Sequence, residues 1–274
     1  MKYISDYSGR FVLRFLLSLC LTHGLMAQKM TPPECYGGMR EFRHFFEQAV
    51  VYPESSLAND EKGQVVLFFI VNADGTTRNL KIWQSAGKAL DDEAIRLFRM
   101  LLWIPATYDD QNKASEHLLT FHFSPRKYRA ICKRRGFDVP PSPIQPAASS
   151  LQVYTTKETD QLPQGTPPRP FKSLQNYVAA NLEHPHAAKV HGLHGSVELW
   201  FVVEPNGQIS NVRIIRSIGG GCNEEALRLL RRIQWQAGTK DGKAVRSEMI
   251  LTIYFPDPNK HTVNNIPTSG GSIR

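Results

Sequence analysis

His184, His186, His191 and His194 gather around Pro185 and Gly192, and imidazole is a good ligand for zinc or copper. His191 and His194 could share an ion if their segment turns. Positions 52, 54, 59 and 62, equivalent by a repeat described below, carry no histidine, so the fold does not require the cluster. It reads as an exposed polar loop rather than a metal site. Cys35 and Cys132 bracket the first half of the chain, and a bond between them would add about 4–5 kcal/mol in the chain-entropy account. Two unrelated buried thiols are the alternative, with Cys222 as a third. Glu93 and Glu225 stand at helix starts, where the helix dipole is reason enough for a carboxylate. There is no phosphate-cradling glycine motif, zincin motif or nucleophile elbow, and Gly219-Gly220-Gly221 reads as a turn into a helix. These residues describe a non-enzyme, and no cofactor is expected.

The chain of 274 residues has 33 Lys plus Arg against 25 Asp plus Glu, a net charge of +8. With 41% hydrophobic and 21% charged residues it can bury a core, which argues against wholesale disorder. Only one apolar run approaches membrane-spanning length, which excludes a polytopic membrane protein. That run, residues 15–21, follows Lys2, Arg10 and Arg14 and precedes Ala27-Gln28, the pattern of a secretory signal peptide over residues 1–27. An uncleaved inner-membrane anchor and lipid attachment through Cys20 are the alternatives. Export places the chain in the periplasm or cell envelope, or anchored in the inner membrane facing the periplasm. No nucleic-acid partner is then expected, despite the positive charge.

The elements are organised by a repeat. Gly63 and Gly195 stand 132 residues apart (195 − 63), and so do Pro53 and Pro185, Gly75 and Gly207, Trp103 and Trp235, and Phe123 and Phe255. Val65, Leu67, Phe69 and Val71 match Val197, Leu199, Phe201 and Val203, and Glu93-Ala94 matches Glu225-Ala226. Roughly two dozen of about eighty positions coincide without a gap, which indicates duplication of a whole domain. In each copy a helical pattern runs into Tyr52-Pro53 or His184-Pro185, where the proline ends it. A hairpin about Asp74-Gly75 or Asn206-Gly207 follows, then a second amphipathic helix and a last strand, residues 118–123 or 250–255. The expected class is α+β: two tandem small domains, residues 36–125 and 170–256, each with two helices packed on a three-stranded antiparallel sheet. Residues 126–169, with many prolines, read as a linker, and residues 257–274 as a disordered tail. Arg126, Lys127, Arg129, Lys133, Arg134 and Arg135 open the linker. They suit either a solvated spacer or docking to an anionic cell wall or membrane surface.

In order, these features resemble the TonB C-terminal domain family. The first copy offers Gly63-Gln64-Val65, Asp74-Gly75, Asn79, Ser85, Glu93-Ala94-Ile95-Arg96 and Trp103-Ile104-Pro105-Ala106. The second offers Gly195-Ser196-Val197, Asn206-Gly207, Asn211-Val212, Ser217, Glu225-Ala226-Leu227 and Trp235-Gln236-Ala237-Gly238. The resemblance implies an energy-transducer-like protein in energy-dependent transport across the outer membrane. Its partners would be outer-membrane TonB-dependent receptors and an inner-membrane energising complex. It further implies capture of a receptor peptide against the last strand of each domain, by β-augmentation. The residues implied are Ser115, His117, Leu119, Phe121 and Phe123, and Ser247, Met249, Leu251, Ile253 and Phe255. The chain departs from the family pattern where His184 stands for Tyr52 and Ala237 for Pro105, and where little sequence separates leader from first domain. These departures leave an alternative: a non-transducing envelope scaffold that keeps the fold.

Overall fold

The computed structural model describes residues 30–259. The expected signal peptide, residues 1–27, and nearly all of the expected tail lie outside the described residues. Among the described residues, no helix is long and apolar enough to cross a membrane.

The first domain runs α1 (Gly38–Ala49), a one-turn α2 (Glu54–Ala58), β1 (Gly63–Val71), β2 (Thr77–Gln84), α3 (Lys88–Met100), β3 (Ser115–Phe123) and α4 (Pro125–Arg135). Its sheet has the order β2-β1-β3, antiparallel throughout. After a two-residue strand, β4 (Val153–Tyr154), the second domain repeats the plan as α5 (Leu174–Asn181), α6 (His186–Val190), β5 (Gly195–Val203), β6 (Ile209–Arg216), α7 (Cys222–Leu230) and β7 (Arg246–Phe255). Here the order is β6-β5-β7-β4, with β4 parallel to β7. The expected two helices and three antiparallel strands are present in both copies, and in the second β4 adds a fourth, parallel strand. Each also gains the short helix that begins after its proline.

Side chains alternate across a strand, so one face of each central strand fills the core. Val65, Leu67, Phe69 and Val71 are fully buried, as are their counterparts Val197, Leu199, Phe201 and Val203. The repeated tryptophans close these cores, Trp103 at 4.7 Å from the Phe69 ring and Trp235 at 4.9 Å from Phe201. Gly75 and Gly207 turn the hairpins with φ of 83° and 81°. A Cβ there would lie 2.6 Å and 2.4 Å from the carbonyl oxygens of Trp103 and Trp235, so glycine is required by both space and conformation.

A buried glutamate paired with a partly exposed arginine fixes the end of the first helix of each copy to the later amphipathic helix, α1 to α3 and α5 to α7. Glu93 is buried; its carboxylate accepts from the Val51 N–H at 2.8 Å and from Arg96 at 2.7 and 2.8 Å. Arg96 also donates to the Ala49 carbonyl at 2.7 Å, one of the groups a helix end leaves unpaired. The second copy repeats each bond: Glu225 accepts from Glu183 N–H and Arg228, and Arg228 donates to the Asn181 carbonyl. Sequence reasoning assigned both glutamates to the helix dipole. That is corrected here: the carboxylates join two helices.

The domains pack directly on each other. Arg231 donates to both Glu41 oxygens at 2.8 Å, and the Leu102 N–H donates to Asn211 at 2.7 Å while Asn211 donates to the Met100 carbonyl at 2.9 Å. Tyr36 meets the Trp200 ring at 5.4 Å. Gly37 permits the close approach of α1 to β6, since a Cβ on it would stand 2.0 Å from the Val212 carbonyl oxygen. Residues 210–212 of β6 are therefore buried, whereas equivalent β2 is exposed at seven of its eight positions.

The stretch expected as a linker over 126–169 needs correction at both ends. Its basic opening is α4, capped by Ser124 and anchored by buried Tyr128, Ile131 and Cys132. Further on, β4 extends the second sheet, Ala147 bridges Ala244, and residues 164–166 pair with 234–236. Prolines keep these residues out of long elements, but their backbone groups still find partners in the second domain.

Glu93→Ala leaves the Val51 N–H without its acceptor, while the partly exposed Arg96 guanidinium can turn to water, and should cost about 2 kcal/mol of stability. Urea unfolding of this variant should show it, while Glu116→Ala, on the exposed side of β3, should change stability by less than about 0.5 kcal/mol.

Candidate functional site

β3 pairs with β1 along all nine residues, from Val71–Ser115 to Gly63–Phe123, and is the terminal strand of its sheet. Its other side offers backbone N–H and C=O groups in the geometry that an added strand requires. Leu119, Phe121 and Phe123 are buried, Ser115 and His117 are half-buried, and Glu116, Leu118 and His122 are exposed. All five residues singled out on this strand thus sit on the core-facing side. Whatever they offer a peptide is their main chain, and the specificity that side chains add must come from elsewhere.

His117 stacks edge-on against Phe69 at 5.6 Å and Trp103 at 5.5 Å. Burial holds its imidazole below the ordinary 6.5. His44 on α1 is lowered too, by burial first and then by the Arg231 guanidinium, against an opposing pull from Glu41 and Glu47.

In the second domain, Ser247, Met249, Leu251, Ile253 and Phe255 are all buried, again on the core-facing side. The beginning of that edge is occupied by the chain itself, because Val153 and Tyr154 pair with Arg246 and Ser247. Arg246, only 2% exposed, locks this corner through the Glu204 carboxylate at 3.0 Å and the carbonyls of Leu151 and Met100 at 2.7 Å. The two edges, equivalent by sequence, are therefore unlike.

Beside the Phe123 end of β3 lies a cavity of about 330 Å³, between the strand, α1 and α4. Phe42, Phe46, Val50, Phe121, Tyr128 and Ile131 form its walls, with Arg43 and Lys127 at its margin. α4 is held in place by Arg135, which donates to the carbonyls of Glu47, Gln48 and Val50 at 2.9, 3.1 and 2.9 Å. Sequence reasoning missed this cavity, although Tyr128, Ile131 and Cys132 at helical spacing after Ser124-Pro125 are a legible helix signal.

The remaining candidates separate. Cys35, Cys132 and Cys222 are buried free thiols, so the Cys35–Cys132 bond is corrected. Cys35 pairs with Trp103, which rests on Phe69 and His117, while Cys132 lies on α4 beyond Phe123. About 20 Å of strand separates those ends, far more than the ~7 Å between Cα atoms that a disulfide can span. Burial and then the Glu34 carboxylate push the Cys35 thiol to about 11. Of the histidines, His184 bonds the Leu193 carbonyl at 3.0 Å and meets the Phe255 ring at 5.8 Å, and His194 bonds the Gly192 carbonyl at 2.9 Å. Among the described residues, no group of three or more His, Cys, Asp or Glu is arranged to hold a metal ion.

The family described as Gram-negative bacterial TonB protein C-terminal matches residues 48–125 and again residues 180–256. No curated protein matches the chain.

His117 and His44 set a pH dependence whose sign follows from their lowered values. The folded state keeps both imidazoles neutral, whereas the unfolded chain takes up protons near the ordinary 6.5. Their stabilising contribution is complete above that value and is lost as pH falls from it through the lowered folded-state values. Urea midpoints measured from pH 7.5 down to pH 5 should decline, and His117→Gln should flatten the decline. An unchanged slope in the variant would contradict the burial of His117.

Proposed function

The chain belongs to the family of Gram-negative bacterial TonB protein C-terminal domains, of which it carries two copies, and on that premise we propose that it binds peptide segments of outer-membrane receptors by strand addition to β3. The family is one of transport and interaction domains, and it suggests a TonB-like role in outer-membrane transport within the cell envelope. The observation that carries the finer reading is the terminal position of β3. Nine residues of regular strand are paired on one side only, in a domain whose α1 end is already satisfied by Glu93 and Arg96. An extended peptide gains main-chain hydrogen bonds there without rearranging the fold.

The first domain is the better receiver in this reading. Among the described residues no strand pairs with the outer side of its edge, whereas the chain's own β4 already pairs with the start of β7. The second domain serves chiefly as a platform, buttressing α1 through Arg231, the end of α3 through Asn211, and Tyr36 through Trp200. An inner-membrane energising complex would act on the chain through an anchored N-terminus, and mapping the mature N-terminus decides between that arrangement and an exported one.

Synthetic peptides copying the periplasm-facing N-terminal segments of outer-membrane receptors provide the test. Binding should slow amide hydrogen exchange along residues 115–123 and leave residues 246–247 unaffected. No binding by any such peptide would overturn the receptor reading and leave the envelope scaffold.

A further inference from the structure

We propose that the cavity beside β3 is a side-chain pocket that selects, within the captured peptide, a large apolar residue two positions from a carboxylate, so that both face the same side of the added strand. The inference rests on strand capture at β3 and adds to it the chemistry of the ligand.

The cavity straddles the edge of the strand. Thr120 and His122, from the outer side of β3, line it together with Phe121 and Phe123 from the core-facing side. A chain added to β3 would therefore run alongside the cavity opening and present alternate side chains to it. At about 330 Å³ the space lies at the small end of ligand pockets, ~300–1,000 Å³, and suits one or two side chains rather than a cofactor. Its aromatic walls are already arranged for ring contacts: Phe42 meets Phe121 edge-on at 5.5 Å, and Phe46 meets Phe123 edge-on at 6.0 Å. An incoming ring would find faces and edges in the offset arrangements that aromatic groups prefer.

Charge fixes the second half of the signature. The Arg43 Nε donates to the Met39 carbonyl, and among the described residues neither Arg43 nor Lys127 takes part in an ion pair. The Glu47 carboxylate also lines the cavity and pairs with Arg134 at 2.9 Å, which offsets its charge beside Arg43 and Lys127. Arg126 and Arg129 add exposed positive charge on the same helix, α4. This field favours an acidic segment, mainly through its approach rate and salt dependence. Of the basic run that reads as a solvated or surface-docking linker, Lys127 thus lines the pocket.

The second copy lacks this chemistry. Gln175 replaces Arg43, Ala179 replaces Glu47, and Asn259 stands at the position of Lys127. No helix equivalent to α4 follows β7 among the described residues. Selectivity is accordingly assigned to the first domain alone.

The full chain can be tested with three nine-residue peptides, matched to the nine residues of β3 and built on alternating Thr and Val. They carry Phe-Thr-Asp, Ala-Thr-Asp or Phe-Thr-Lys (Phe-Asp, Ala-Asp and Phe-Lys for short) toward one end, so that the paired residues share a face, with a second set carrying the same triplets at the other end. 3-Phenylpropionate is a separate small probe. Calorimetry gives affinity, amide signals of residues 115–123 report strand pairing, and the Ile131 methyl signals report the pocket. The Phe-Asp peptide in one orientation should bind about tenfold to a hundredfold more tightly than Ala-Asp, as expected for burying one large apolar side chain. Lys127→Glu should weaken Phe-Asp and reverse the preference toward Phe-Lys. Equal affinities for Phe-Asp and Ala-Asp, with amide shifts along β3, would overturn the pocket and leave strand capture standing. Ile131 shifts with phenylpropionate but no amide shifts with any peptide would overturn strand capture and retain the pocket chemistry. Ile131 signals that move with protein concentration alone would mean that a second copy of the chain fills the pocket, and would overturn the proposal.

Discussion

The end of α1 is the constraint on which the other parts of the molecule depend. Pro53 prevents the helix from continuing, so its last carbonyl groups and the following N–H must be satisfied by side chains from elsewhere. Glu93 and Arg96 take Val51 and Ala49 from the α3 side. Arg135 takes Glu47, Gln48 and Val50 from the α4 side. Fixed at this point, α1 can cover the sheet with Phe42 and Phe45, hold one wall of the cavity, and carry Gly37 and Glu41 into contact with the second domain.

Duplication produced two copies of this arrangement, and packing then made them different. The second domain's helix end is held by Glu225 and Arg228 in the same way, but no arginine equivalent to Arg135 supports it among the described residues. Its β6 is covered by α1 of the first domain, and the beginning of β7 is covered by β4. The first domain keeps β2 and the edge of β3 uncovered, with Trp83 at 71% exposure resting on Phe68. Of two domains alike in backbone plan, one has become mainly an internal support and the other retains free surface.

Much of this was legible in residue order. Strict alternation of Val65, Leu67, Phe69 and Val71, the Gly75 turn and the prolines at 53 and 185 each have one local physical cause, and the 132-residue offset shows every element twice. What escaped depends on partners distant in the chain. Glu93 and Arg96 are three residues apart in both copies, yet their role appears only when the end of α1 is brought beside them. The basic density of 126–135 masked a helix whose apolar stripe, Tyr128, Ile131 and Cys132, has ordinary spacing. The binding residues that the family resemblance implies, alternate positions on β3 and β7, share the face that is turned to the core. An open strand edge is a property of the backbone and of what lies next to it, and no side-chain pattern records it.

The central claim is that β3 accepts an extended peptide at its free edge. Cysteines placed singly at Glu116, Leu118, Thr120 and His122, all off the core-facing side, can be offered a receptor peptide bearing one cysteine at each position in turn. The account predicts disulfide crosslinks in a single register, the preferred peptide position moving by two residues with each two-residue step along β3. Crosslinks without that periodicity, or equal crosslinking to cysteines placed on the exposed side of β2, would contradict it.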